Sequence, residues 1–158
     1  MQVLSNDSLD ALVEAARADP RRRMGRDLHG SPSDAVCRRA VAIEPDAFVR
    51  PHRHRDRWEL LLAVRGACDV LIFDVQGTVT DRFLLAPGTG MAAIEIDPGT
   101  VHSLVARESG SVFFEVKQGP YSPQTGAEIA PWAPDEEDEG ARMFLDRMRY
   151  ALPGSRLA

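Results

Sequence analysis

The chain holds 158 residues, 44% of them hydrophobic and 27% charged, with a formal net charge of −5. This is the composition of one globular domain large enough to bury a core. It argues against general nucleic-acid binding, which needs a basic face, and no apolar run approaches membrane-spanning length.

The first element reads as a helix. Leu9, Leu12, Val13 and Ala16 recur at helical spacing, Asp7 or Ser8 is available as the N-cap, and Pro20 ends the run. Residues 1–7 lack the basic start and apolar core of a signal peptide. Arg21, Arg22 and Arg23 follow, either a solvated patch or an anion-facing rim, and residues 25–30 are a loop by composition. From about Val36 the pattern turns to strands, at 36–43, 47–52, 59–64, 67–73, 78–84, 90–96, 101–106 and 112–117. Turn residues separate them, among them Pro45-Asp46, Gly66, Gly77, Pro87-Gly88, Pro98-Gly99 and Gly110. Many short strands without a strand–helix rhythm predict a mainly β sandwich or barrel.

After Lys117 the strand signal stops. The proline-bearing stretches 119–123 and 130–134 predict an extended arm, and 135–139 an acidic, exposed segment. Met143, Phe144 and Met148 predict a closing helix ended by Pro153-Gly154, its apolar stripe packing as core or interface. The chain thus divides into an N-terminal helix and loop over 1–30, a barrel over 31–120, and an arm with a packed helix over 121–158. Cys37 and Cys68 have no metal spacing such as C-x-x-C and read as reduced thiols of a cytoplasmic protein.

The chemistry concentrates in His52-Arg53-His54, Glu59 and Gly66, joined later by His102 after Pro98-Gly99. His52 and His54 are two apart, so on a strand both side chains share a face. Arg55-Asp56-Arg57 is a polar break, Glu59 opens the apolar run 60–64, and His102 heads another strand. Three strand ends meeting at one point describe the inside of a small β-barrel. Imidazole nitrogen and carboxylate oxygen suit one divalent transition metal, Fe(II), Mn(II), Ni(II) or Zn(II), with copper also within their chemistry. Four protein ligands on a six-coordinate ion leave two positions for substrate or dioxygen, whereas a tetrahedral zinc would be closed and structural.

Alternation along 112–117 puts Glu115 and Lys117 on one face. Facing the lumen they form a candidate acid/base couple; facing out they meet water. Arg38 and Arg50 lie on strands leading toward the site, as anion-binding or as surface arginines. His29 is either a substrate-contacting group near the metal or an exposed loop histidine.

H-x-H-x4-E-x6-G, as His52, His54, Glu59 and Gly66, resembles the first cupin motif, and Pro98-Gly99-Thr100-Val101-His102 resembles the second. The second motif usually continues to an Asn where this chain has Ala106. Leu28-His29, Arg50-Pro51-His52-Arg53-His54, Trp58-Glu59, the stretch from Phe114 to Tyr121 and Ala130-Pro131-Trp132-Ala133-Pro134 are similar to the WbuC-family cupin metalloproteins, with Asp27 standing where that group often has Asn. The resemblance covers roughly residues 7–135. It implies a single double-stranded β-helix (cupin, jelly-roll) barrel with one metal, and adds Tyr121 to His29, Arg38 and Arg50 as substrate-binding candidates. It further implies bacterial polysaccharide (O-antigen or lipopolysaccharide) metabolism and a small polar or anionic substrate, a sugar or nucleotide sugar. The reaction stays open between isomerase or epimerase and dioxygenase types. The alternatives are a non-catalytic sugar-binding or sensing cupin and a purely structural metal. No nucleic-acid or membrane partner is expected, and a homodimer paired through edge strands is.

Overall fold

Residues 1–88, 90–120 and 126–158 are described by a computed structural model. Helix α1 (Asn6–Ala18) begins two to three residues before the predicted caps: Ser5 is the N-cap, and Ser5 and Ser8 exchange hydrogen bonds as a capping box. Its buried face is Leu9, Leu12, Val13 and Ala16, the four residues picked out by periodicity.

Ten strands follow among the described residues: β1 (Arg23–Asp27), β2 (Val36–Ile43), β3 (His52–Arg53), β4 (Glu59–Arg65), β5 (Cys68–Phe73), β6 (Val79–Leu85), β7 (Ala93–Ile96), β8 (Val101–Ala106), β9 (Ser111–Gln118) and β10 (Glu128–Ile129). They form two antiparallel five-stranded sheets, ordered β1-β2-β9-β4-β7 and β10-β3-β8-β5-β6. The fold is mainly β, a jelly roll with one helix at each end of the chain, as the sequence predicts.

Three elements depart from the expected pattern. Part of the predicted loop is strand β1, which runs from Arg23↔Ile43 to Asp27↔Arg39 along the edge of β2. Residues 23–26 are all half-buried and Asp27 is exposed, so this strand carries no apolar alternation for a sequence reading to detect. The predicted strand 47–52 shrinks to His52–Arg53. Its carbonyls are satisfied otherwise: Arg23 donates to Phe48 O, Ser103 to Val49 O, and the Ala130 amide to Pro51 O. Within the predicted arm, β10 pairs with β3 through Glu128↔Arg53 and Ile129↔His52.

Three apolar clusters hold these layers together. Ile43, Leu61, Val70, Leu85, Leu104 and Phe113 fill the space between the sheets. Helix α1 covers Ala40, Ala42 and Val112 on the outside of the first sheet. Helix α2 (Gly140–Tyr150) covers Leu71, Phe73, Val101 and Val105 on the outside of the second, through Phe144, Leu145 and Met148. This outer cover explains why every residue of β8 is buried. The acidic segment is exposed as predicted except at Glu136, which bridges Arg21 (2.9 Å) and Arg23 (2.6 Å). No helix among the described residues is long and apolar enough to cross a membrane.

One buried charge cluster locks α2 in place. Asp69, 1% exposed, accepts from Arg82 at 2.6 Å and from Arg107 at 2.7 and 2.8 Å. Arg82 also donates to the carbonyls of Met148, Arg149 and Ala151, the groups left over at the helix C-terminus. Arg82→Met removes that cap and half of Asp69's neutralisation together. The expected loss is on the order of 3 kcal/mol of stability, read as a lowered urea midpoint; an unchanged midpoint would show that the cluster is dispensable.

Candidate metal centre

Both sheets contribute to one end of the barrel. His52 of β3 lies directly opposite His102 of β8, so a cross-strand pair puts two imidazoles on the inner face. His54 follows immediately after β3, and the Gly99 amide donates to its carbonyl at 2.8 Å, fastening it to the Pro98-Gly99 turn. Glu59 opens β4 in the facing sheet. Gly66 serves the turn after β4: it has φ +67°, and a Cβ there would come within 2.9 Å of the Ser111 backbone.

The four side chains converge. One candidate ligand atom from each of His52, His54, Glu59 and His102 lies within 4.8 Å of all the others, and the cluster is able to bind a metal. Each ring is oriented by a backbone carbonyl. His52 Nδ1 donates to Arg50 O (2.9 Å), His102 Nδ1 to Thr100 O (3.0 Å), and His54 Nδ1 to Gly126 O. The last contact comes from the arm, which Glu128 ties down through Arg53 and Arg55. A carbonyl only accepts, so Nδ1 carries the hydrogen and Nε2 of a neutral ring offers a lone pair.

Those lone pairs have no better partner. His54 Nε2 is buried without a hydrogen bond, 3.6 Å from Glu59 Oε2, and His102 Nε2 lies 2.9 Å from the same oxygen. Two lone-pair donors so close repel unless positive charge lies between them. A single divalent cation answers all four groups at once, and the nitrogen and oxygen donor set fits such an ion. Burial, then the neighbouring His102, pushes His52 down to about 3, so its ring is neutral at physiological pH. Burial alone would raise Glu59, but the Lys117 ammonium, 3.2 Å away, opposes that and helps hold the carboxyl well below the usual carboxylate range.

Glu115 and Lys117 both line the cavity beside this cluster. Lys117 Nζ lies 2.5 Å from Glu115 and 3.2 Å from Glu59. Burial and the charge of Glu59 push the Glu115 carboxyl up. Burial pulls Lys117 down, yet its two carboxylate neighbours outweigh that and raise it.

Other predicted residues sit elsewhere. Arg38 pairs with Asp34 at 3.1 Å and does not line the cavity. Arg50 pairs with Asp135 at 2.5 Å, in a second, charged depression. The His29 ring accepts from the Arg38 amide (3.2 Å) and is not part of the ligand cluster. Tyr121 lies outside the described residues. The cavity walls instead carry Arg21, Arg23 and Arg39, of which Arg39 was not singled out from the sequence. Its signal was available, since Arg39 keeps step with Cys37 and Val41 on one face of β2, opposite Arg38.

Titration of the protein with Mn(II) or Zn(II) should show one equivalent bound, and His54→Ala should lose most of that affinity. At a hundredfold excess over Kd the ion should add about 2.7 kcal/mol to stability, visible as a raised Tm. Equal uptake by wild type and variant would exclude the four-residue site.

No curated protein matches the chain. Solved structures do, and they share its fold. KdgF from Halomonas sp. is 21% identical, with 67% of this chain and 86% of that one covered and a TM-score of 0.52. A cupin 2 domain-containing protein from Halorhodospira halophila is 20% identical over 79% of this chain and 81% of that one, at a TM-score of 0.50. A cupin-superfamily sugar phosphate isomerase from Silicibacter pomeroyi is 19% identical, covering 68% of this chain at a TM-score of 0.51, and the chain spans 64% of its length. At these identities the likeness establishes the cupin fold and nothing finer. Residues 4–85, which include His52, His54 and Glu59 but not His102, match the domain of unknown function DUF6016. That match spans a little over half of the chain, and the protein belongs to the DUF6016 family.

Proposed function

We propose that this protein is a metal-dependent cupin enzyme acting on a small sugar-type molecule, of isomerase or oxygenase type, in bacterial polysaccharide metabolism. The observation that carries the reading is a complete ligand cluster, of which His52 and Glu59 line the cavity, next to a lysine–glutamate couple that lines the same cavity. A structural metal needs no such neighbours. The similarity to WbuC-family sequences supports the polysaccharide setting, and the buried free thiols Cys37 and Cys68 fit a cytoplasmic one. A homodimer through a sheet edge belongs to the same reading; light scattering that finds only monomer at every concentration would reject it.

His52, His54, Glu59 and His102 would hold the ion, of which Fe(II), Mn(II), Ni(II) and Zn(II) are the candidates. Bound there, it would supply Lewis-acid polarisation of a substrate oxygen. The chain's own residues do the rest. A carboxyl raised by burial holds a proton more readily than an exposed one, which suits Glu115 to take and return a proton. Lys117, kept charged by its two carboxylate neighbours, donates toward developing negative charge on the substrate and holds Glu115 in position.

The test is a screen of sugar phosphates, sugar acids and nucleotide sugars, run aerobically and anaerobically with native metal. Glu115→Gln should lower turnover by about a hundred- to ten-thousandfold while the metal stays bound. Ligand-induced stabilisation without product from the wild type would point to a non-catalytic binding cupin instead.

A further inference from the structure

We propose that Arg39 is the anion-binding residue of the cavity, and that the substrate is a monosaccharide-sized molecule bearing a carboxylate or phosphate. This rests on the metal-dependent reading above and deepens it. The cavity measures about 310 Å³, the lower end of the about 300–1,000 Å³ of small-molecule sites, which suits one sugar ring better than a nucleotide sugar.

Three arginines line its walls, and two are already engaged. Arg21 and Arg23 both pair with Glu136, and Arg23 also donates to Phe48 O at 2.7 Å. Arg39 differs. Among the described residues its one close ion pair is with Asp27, 3.4 Å away and itself half-exposed, while its charge also reaches Glu115 across the strands. Such a loose pair contributes little and gives way to a better ligand.

The neighbouring strand is shaped for this side chain. A Cβ on Gly25 would stand 2.0 Å from Arg39 Nε and 2.5 Å from its Cζ. The end of the Arg39 side chain therefore occupies the space left by the one residue of β1 that has no Cβ. Arg39 also sits opposite Glu115 in the β2–β9 register, on the same wall as the proposed acid/base couple. A planar fork held at the mouth matches a carboxylate or a phosphate in two-point geometry. A sugar anchored there by its charged end would present its other end to Glu115 and the ligand cluster.

Isothermal titration of the Mn(II)-loaded protein with D-glucuronate, D-glucose 6-phosphate, D-glucose and UDP-glucose tests this. One or both of the first two should bind at least tenfold more tightly than glucose, and which one does so identifies carboxylate or phosphate as the source of charge. Arg39→Gln should weaken that binding about ten- to a hundredfold, the loss expected for hydrogen bonds to a charged group. Gly25→Ala should do likewise, since it displaces only the far end of Arg39, and neither variant should alter Mn(II) affinity or Tm. Unchanged binding in both variants, equal binding of glucose, or no binding of either anion would overturn the assignment; tighter binding of UDP-glucose would overturn the size limit. Metal titration of the same samples separates the two readings, because failure to take up Mn(II) sinks the metal centre whether or not Arg39 binds the anions.

Discussion

Everything at the open end of this barrel depends on three carbonyl oxygens. Arg50 O, Thr100 O and Gly126 O each take the Nδ1 hydrogen of one imidazole, and so turn three Nε2 atoms toward Glu59. Without those bonds, three histidines in one pocket would rotate to avoid each other and the carboxylate. With them, the rings are held 4.5 to 5.8 Å apart, centroid to centroid. Each carbonyl comes from irregular backbone next to a strand, where no ladder partner claims it. The short β3 and its extended approach therefore serve the site directly.

Holding four such groups together is costly. Glu59 and His102 are 3% and 1% exposed, and a carboxylate that deep needs compensation. Lys117 supplies part of it at 3.2 Å, while Glu115 in turn balances Lys117. The couple is thus electrostatically continuous with the ligand cluster: whatever alters charge at Glu59 is felt by Lys117 and then by Glu115. A divalent ion among the four donors would relieve the crowding of lone pairs and leave Lys117 freer to serve Glu115 or a substrate.

Much of this was legible in the sequence, for identifiable reasons. His52, His54, Glu59 and His102 could be grouped because strand alternation and turn residues make facing predictable even when pairing is not. Glu115 and Lys117 could be placed on one face by the same alternation. The arginines were harder. Arg38 and Arg39 are adjacent, and choosing between them requires knowing which face of β2 looks inward. That choice is set by what packs on each face, with Ile43 between the sheets and α1 over Ala40 and Ala42, while the room for Arg39 depends on Gly25, which reads as a loop residue until its neighbour is known. Likewise, the role of Glu136 depends on contacts with Arg21 and Arg23 more than a hundred residues away. Local pattern reports facing; it does not report which distant charges will meet.

The strands also change character within two residues of the site. Glu59 is followed on its face by Leu61, fully buried, and His102 by Leu104; Glu115 is preceded by Phe113. Polar groups occupy one end of the inner face and apolar ones the rest, so Val41, Ile43, Val49, Leu104 and Phe113 contribute apolar walls to the cavity that holds Glu59, Glu115 and Lys117. Charges set against such low-dielectric walls interact more strongly than they would at the surface. The same jelly-roll core that stabilises the chain therefore sharpens the electrostatics of its open end. That coupling is the reason a polar substituent at Leu104 or Phe113 would disturb the chemistry as well as the packing.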